Sequence, residues 1–157
     1  RTVTLMAPSK TFNLSGLSCG YAVIPDPEIR ERFRSATGEL VPHPNVFGYV
    51  ACRAAYEKGE PWRLELIDYL RGNRDLLESY VAERLPMLAV SHVEATYLAW
   101  IDIRGLGEKI GAAFFEERGV RLSGGIPFQG PGFVRLNFAC PRQTLRDALD
   151  RIAAAIH

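Results

Sequence analysis

A single lysine, Lys10, stands in the segment "APSKTFNLSGL", between a strand-like run and a small polar turn that contains glycine. A primary amine in such a turn can be a solvated charge, the partner of a serine in hydrolysis, or a nucleophile that forms a Schiff base with a carbonyl compound. The serine-lysine pair is a weak hypothesis, because the usual three-residue spacing puts Ala7 where the serine should be. From Lys10 alone the solvated charge is favoured, and the Schiff-base lysine stays open.

A second candidate, Arg135, lies in the strand-like run "FVRLNFA". The two-residue period of a strand predicts that Val134, Leu136 and Phe138 face the core. Arg135 and Asn137 then project from the opposite face, where a planar guanidinium could hold a carboxylate through two parallel hydrogen bonds. The pattern alone favours an ordinary surface arginine.

The segment "SGGIPFQGPGF" precedes Arg135 and is rich in glycine. It lacks the Lys-Ser/Thr ending of a phosphate-binding P-loop and does not open a helix. We therefore expect a plain mobile loop, which at this position could act as a lid over Arg135.

The composition narrows the range of partners. The chain has 157 residues, of which 47% are hydrophobic and 24% charged, as in an ordinary folded domain. Its formal net charge of +1 gives no overall electrostatic attraction to nucleic acid or to an anionic membrane surface. No run is long and apolar enough to span a bilayer. We expect a small-molecule partner, no nucleic acid and no membrane.

Cysteines and histidines are few and scattered along the chain, without a CxxC pair. This spacing argues against a disulfide framework and against a zinc site, so we predict no metal. A reducing compartment, and hence the cytoplasm, is the simplest expectation. The residues are Cys19, Cys52, Cys140, His43, His92 and His157.

The first part of the chain predicts an α/β arrangement. Strand-like runs, "TVTLMA" and "YAVI", lie on either side of Lys10. Asp26 before Pro27 predicts the start of a helix that Gly38 ends, and "PNVFGYVACRAAYEKG" predicts a second helix.

A longer helical segment, "EPWRLELIDYLRGNRDLLESYVAERL", follows, with an apolar stripe that Gly72 and Asn73 interrupt. It predicts one long or slightly bent helix that links two parts of the molecule. The remainder predicts an α+β unit in which helices cover a sheet. Its strands are expected in "MLAVSHV", "TYLAWIDI", "VRLS" and "FVRLNFA", and its helices in "EKIGAAFFEERG" and "PRQTLRDALDRIAAAIH".

Five motifs in this order resemble a known family: "SKTFNLSGL" followed by "GYAVI", "AAYEKGEPW", "ATYLAWIDIRGL" and "GFVRLNFACPR". They resemble the fold-type I pyridoxal-phosphate enzymes of the class I and II aminotransferase family, and most closely the cystathionine beta-lyase or C-S lyase branch. The resemblance implies that residues 1–60 are the C-terminal part of the cofactor-binding large domain and that residues 61–157 are the α+β small domain. The chain also opens without a methionine, so we expect it to be part of a longer protein.

The resemblance assigns roles to four residues. It implies that Lys10 is the catalytic residue that holds pyridoxal 5'-phosphate (PLP) as a Schiff base, and that Arg135 binds the α-carboxylate of an amino acid substrate. Ser9 is expected to contact the cofactor phosphate, and Tyr97 to line the substrate side of the pocket. The aromatic residue that stacks on the cofactor ring and the acid that pairs with its pyridine nitrogen are expected outside this sequence.

The implied activity is β-elimination from cystathionine or a cysteine conjugate, giving a thiol, pyruvate and ammonia, in a homodimer. An aminotransferase uses the same lysine and arginine and is the first alternative. A non-catalytic sensing domain on the same fold is the second, although the presence of both Lys10 and Arg135 argues against it. We also expect residues 1–60, as one flank of a larger domain, to expose apolar surface.

Overall fold

In the computed structural model, which describes residues 1–156 apart from the side chain of Glu39, the chain divides into two compact units. The first unit is Arg1–Leu66 and the second begins at Ile67. The expected domain boundary at residue 60 lies close to this division.

The first unit begins with an antiparallel pair of strands, β1 (Thr4–Met6) and β2 (Tyr21–Val23). Helix α1 (Pro27–Thr37) follows, then α2 (Val46–Lys58), and α3 (Glu60–Arg84) begins in this unit and continues into the second. These elements confirm the strands and helices expected here.

The predicted start and end of α1 are confirmed. The Asp26 carboxylate accepts hydrogen bonds from the backbone N–H groups of Glu28 and Ile29 at 3.0 and 3.1 Å, and Pro27 occupies the first helical position. These are the N–H groups that a helix cannot satisfy by itself. Gly38, with φ of 45°, follows the last helical residue.

The first unit exposes large apolar side chains, as expected for one flank of a larger domain. All six residues of the β1–β2 pair are exposed. Phe47 on α2 is 72% exposed, and Leu40 before α2 is 88% exposed. Exposed large apolar side chains in this number are typical of a surface that another segment or chain covers.

The second unit is a four-stranded antiparallel sheet with helices packed on one face. Its strands lie in the order β3 (Ala89–Val90), β4 (Leu98–Asp102), β6 (Phe133–Asn137) and β5 (Ser123–Gly124). Its further helices are α4 (Ala112–Glu116) and α5 (Arg142–Ile156). The buried cluster joins the sheet to α3 and α5 through Leu77, Val81, Ala99, Ile101, Val134, Leu136, Leu145 and Leu149, among others. This confirms the α+β prediction.

Helix α3 runs without a break through the two residues that interrupt its apolar stripe. Asn73 is 0% exposed, and its side-chain N–H group donates to the carbonyls of Phe138 and Cys140, both at 2.9 Å. Its side-chain oxygen accepts a hydrogen bond from Arg142 Nε at 3.0 Å. A Cβ at Gly72 would lie 2.5 Å from Arg142 Nη2, so a larger residue there would require the Arg142 guanidinium to shift. The two residues therefore dock the β6–α5 connection onto α3.

Helix α4 and strand β5 are shorter than their sequence patterns predicted. Gly119, with φ of 78°, ends the α4 segment, and its N–H group donates to the carbonyl of Glu116 at 3.0 Å. The N–H group of Val120 reaches back to the carbonyl of Phe115 at 2.9 Å. This pair of bonds is the Schellman arrangement of helix ends. Because Val120 completes the helix end, the strand expected in "VRLS" is confined to Ser123–Gly124.

None of the helices within residues 1–156 is both long enough and apolar enough to cross a membrane.

We predict that Asn73→Ala lowers the free energy of unfolding by about 3 kcal/mol, because it leaves the buried Phe138 carbonyl, the partly buried Cys140 carbonyl and one arginine N–H without their partner. Urea denaturation of the longest polypeptide that carries this sequence measures the change. Gln143→Ala is the matched control, since the Gln143 amide donates to Asp147 at 2.8 Å on the exposed side of α5. The control should cost less than about 0.5 kcal/mol. Equal effects of the two substitutions would contradict the role of Asn73.

Candidate functional site

Lys10 lies in a compact turn that follows β1. The N–H group of Phe12 donates to the carbonyl of Pro8 at 2.9 Å, and the N–H group of Leu14 donates to the carbonyl of Ser9 at 3.0 Å. Pro8 is fully buried beneath the turn, whereas the side chain of Lys10 is exposed. The turn therefore fixes the backbone at Lys10 and leaves the amine accessible.

The side chain of Phe12 anchors this turn to the helices of the first unit. Its ring packs edge-on against Tyr56, with centroids 5.6 Å apart, and stacks on Trp62 at 6.4 Å. A Cβ at Gly59 would lie 2.8 Å from the Phe12 ring, so glycine at this position permits the contact. Phe12, two residues after Lys10, thus holds in place the turn that carries Lys10.

The groups around Lys10 are suited to an aldehyde that also carries a phosphate. Within residues 1–156 the Lys10 amine has no hydrogen-bond or ion-pair partner. Ser9 and Thr11 place hydroxyl groups on either side of it in sequence. A primary amine condenses with an aldehyde, and hydroxyl groups donate hydrogen bonds to phosphate oxygens. The exposed Lys10 amine therefore fits the aldehyde end of PLP, and the contact of Ser9 with the phosphate stays a prediction.

Arg135 lies at the centre of β6, on the face of the sheet opposite the helices. It is paired with Trp100 of β4 and with Ser123 of β5. Val134 and Leu136 are buried and Arg135 is half-buried, which confirms the predicted alternation. Its Nη2 donates a long hydrogen bond of 3.4 Å to Ser123 Oγ. In the part of the chain that the structure describes, no carboxylate pairs with Arg135, so its guanidinium is available to an anion.

An aromatic row, which we define as Phe128, Trp100 and Phe133, runs along the same face. The Arg135 Cζ lies 4.6 Å from the centroid of the Phe128 ring. Phe128 packs edge-on against Trp100 at 5.9 Å, and Trp100 stacks on Phe133 at 5.5 Å. The sequence analysis missed these residues. Strand alternation could have identified Trp100 and Phe133, whereas no pattern locates Phe128, which lies in a loop.

The other arginine beside the row, Arg104, is already paired. Its guanidinium lies 5.2 Å from the centroid of Phe133, and its Nη2 is 2.6 Å from the Asp102 carboxylate. The side-chain and backbone hydrogen bonds from Arg104 hold the pKa of Asp102 below its ordinary value. Arg104 is therefore neutralised by Asp102, which distinguishes it from Arg135.

The glycine-rich loop before β6 is tightly bonded, in contrast to the mobile loop that we expected. The N–H group of Gly125 donates to the carbonyl of Phe133 at 2.8 Å, and the N–H groups of Phe128 and Gly130 donate to the carbonyl of Gly125 at 2.8 and 3.0 Å. A Cβ at Gly130 would lie 2.6 Å from the Trp100 ring. The glycines thus allow the loop to pack closely on the sheet.

Tyr97 is placed away from Arg135. It precedes β4, its carbonyl accepts a hydrogen bond from the N–H group of Phe138 at 3.0 Å, and it packs against the buried cluster. Alternation along the chain puts it on the same face as Ala99 and Ile101, whereas Trp100 lies on the face of Arg135. The substrate-side role of Tyr97 stays a prediction.

Metal-ligating residues do not cluster within residues 1–156: no group of three or more histidine, cysteine or acidic side chains could hold an ion there. His157 lies outside the described residues.

Comparisons with known proteins agree with these features. The family model "Aminotransferase class I and II" matches residues 2–152. The chain is 37% identical over 165 residues to cystathionine beta-lyase PatB of Bacillus subtilis, covering 99% of this chain and 42% of that protein.

Solved structures are similar in both fold and sequence. The crystal structure of OvoB has a TM-score of 0.95 and 48% identity, with coverage of 99% of this chain and 41% of that one. The PLP-bound C-S lyase of Staphylococcus hominis has a TM-score of 0.88 and 31% identity, with coverage of 98% and 42%. The chain thus spans about two fifths of the length of these relatives. By the match over residues 2–152, the chain belongs to the aminotransferase class I and II family.

Proposed function

We propose that the protein to which this chain belongs is a PLP-dependent carbon-sulfur β-lyase. Its substrate is cystathionine or a related cysteine conjugate, and its products are a thiol, pyruvate and ammonia. The observation that carries the proposal is the exposed amine of Lys10, which has no partner among the described residues and lies in a turn that fixes its backbone. The similarity to PatB and to the C-S lyase of Staphylococcus hominis supports the lyase branch.

Lys10 and Ser9 are the residues of this chain that would hold the cofactor, Lys10 at its aldehyde and Ser9 at its phosphate. When bound, PLP supplies an electron sink for the charge that develops at the substrate Cα. The two residues share one turn, so they would act from a single rigid element.

Arg135 would bind the substrate α-carboxylate through its guanidinium. Two parallel N–H donors fix the orientation of a carboxylate as well as its position. Because the carboxylate is attached to Cα, this contact also sets the direction of the Cα–H bond, which must be aligned for proton removal. The half-buried setting of Arg135 strengthens the contact relative to one in open water.

Proton transfer would be the second task of Lys10. Once its amine is free, Nζ can take the proton from Cα as a general base. The bond from Cβ to sulfur then breaks, and the thiolate leaves with the bonding electron pair. Nζ can return its proton to that sulfur, and hydrolysis of the remaining fragment gives pyruvate and ammonia.

We further propose that the protein is a cytoplasmic homodimer. The exposed apolar side chains of the first unit, such as Phe47, support a covering partner. The free thiols of Cys19, Cys52 and Cys140 agree with a reducing compartment.

We predict that the longest polypeptide that carries this sequence, supplied with PLP, releases pyruvate from cystathionine without an added keto acid. Lys10→Ala should lower the rate at least about 10²-fold, because the general base is lost. Lys58→Ala, at the exposed end of α2, is the matched control and should leave the rate unchanged. Amino-group transfer that needs a keto acid would instead identify an aminotransferase. Full activity of Lys10→Ala would contradict both the lyase and the aminotransferase assignments.

We predict that Arg135→Gln raises the KM for cystathionine about 10- to 100-fold, because a hydrogen-bonded charge on the carboxylate is lost. Arg135→Lys should recover only part of this loss, since a lysine cannot form two parallel bonds. Arg121→Gln, on a side chain that is 88% exposed, is the control. Steady-state kinetics give the comparison, and an unchanged KM for Arg135→Gln would contradict the carboxylate role.

A further inference from the structure

The ring of Phe128 contacts the guanidinium of Arg135. Binding of a carboxylate by Arg135 does not by itself require this contact. The Arg135 Cζ lies 4.6 Å from the centroid of the ring, within the range of an attractive cation–π contact. A guanidinium carries several N–H donors, so contact with one ring leaves donors for the two parallel bonds that a carboxylate needs. The contact is therefore compatible with anion binding at the same arginine.

The position of Phe128 is itself fixed by the loop and by the aromatic row. Its N–H group donates to the carbonyl of Gly125 at 2.8 Å, and its ring packs edge-on against Trp100. Trp100 is held in turn by stacking on Phe133 and by the close approach of Gly130. Phe128 is still 50% exposed, so hydrophobic burial accounts for only part of its placement.

Arg135 has few other contacts that could fix its long side chain. Within residues 1–156 it has no acidic partner, and its hydrogen bond to Ser123 Oγ is long, at 3.4 Å. An unrestrained arginine loses considerable rotamer freedom when it binds an anion, and this loss weakens binding. A side chain that another contact already holds loses less rotamer freedom when the anion binds.

We propose that Phe128 is a positioning residue for Arg135, which holds the guanidinium ready for the substrate carboxylate. This inference rests on the proposed function, because it takes Arg135 to be the carboxylate-binding residue. Phe128 acts through Arg135 and has no part in proton transfer. Its loss should therefore weaken carboxylate binding and leave the chemical step unaffected.

The test compares Phe128→Leu, Phe128→Met and Phe128→Tyr in the longest polypeptide that carries this sequence. Leucine and methionine keep an apolar side chain without a ring, so either variant tests the contact if the other folds poorly. Tyrosine restores the ring. We expect the KM for cystathionine to rise about tenfold in the ringless variants, with kcat within about twofold of the wild type and recovery in Phe128→Tyr.

A binding measurement without catalysis complements the kinetics. Propionate has a carboxylate where propionamide has a neutral amide. Ligand-detected NMR titration gives the Kd of each compound. The ringless variants should weaken propionate about tenfold and leave propionamide unchanged. Phe114→Leu is the matched control, because it removes a similar contact from a different arginine, Arg118, whose Cζ lies 3.7 Å from the Phe114 centroid.

The outcomes separate the two proposals. Wild-type binding of propionate by Phe128→Leu and Phe128→Met, with weakened binding by Arg135→Gln, would overturn the role of Phe128 and leave that of Arg135 intact. Wild-type binding of propionate by Arg135→Gln would overturn the carboxylate role on which both depend. A fall in kcat at unchanged KM in the ringless variants would also contradict a positioning role.

Discussion

The buried amide of Asn73 is the contact on which the second unit depends. It uses both of its ends, since its N–H group donates to Phe138 and Cys140 and its oxygen accepts from Arg142. One side chain of α3 thereby fixes the point where β6 ends and α5 begins. A buried polar group without a hydrogen-bond partner lowers the stability of the fold. The Asn73 amide and the carbonyls of the β6–α5 connection therefore each depend on the other as a partner. The contact fixes the end of β6, while pairing with β4 and β5 places the rest of the strand.

The fixed strand determines where Arg135 can act. Alternation along β6 puts Val134 and Leu136 into the core and leaves Arg135 on the opposite face, beside Trp100. That face carries aromatic rings, and its other arginine, Arg104, is neutralised by Asp102. Within residues 1–156 no carboxylate pairs with Arg135, so this face presents an available guanidinium in apolar surroundings, where an ionic hydrogen bond is stronger than in open water. The α-carboxylate of an amino acid is an anion that suits such a site.

Local signals in the sequence predicted most helices and strands, and they predicted the face of β6 from which Arg135 projects. Capping by Asp26 and the alternation around Arg135 depend on neighbouring residues, and both were confirmed. The errors concern contacts between distant residues. The sequence predicted the long helix but gave Asn73 only as an interruption of its apolar stripe, because the partners of Asn73 lie more than sixty residues away. The loop near Phe128 looked mobile for a similar reason, since its glycines serve close packing against Trp100.

The role of Lys10 can be tested by trapping the cofactor on its amine. The longest polypeptide that carries this sequence should be incubated with PLP, its visible absorbance recorded, and the sample reduced with borohydride and mapped by mass spectrometry. The account predicts a visible band that reduction abolishes, and a pyridoxyl group on the peptide that contains Lys10. A folded protein that shows no band, or that carries the label on another lysine, would contradict it.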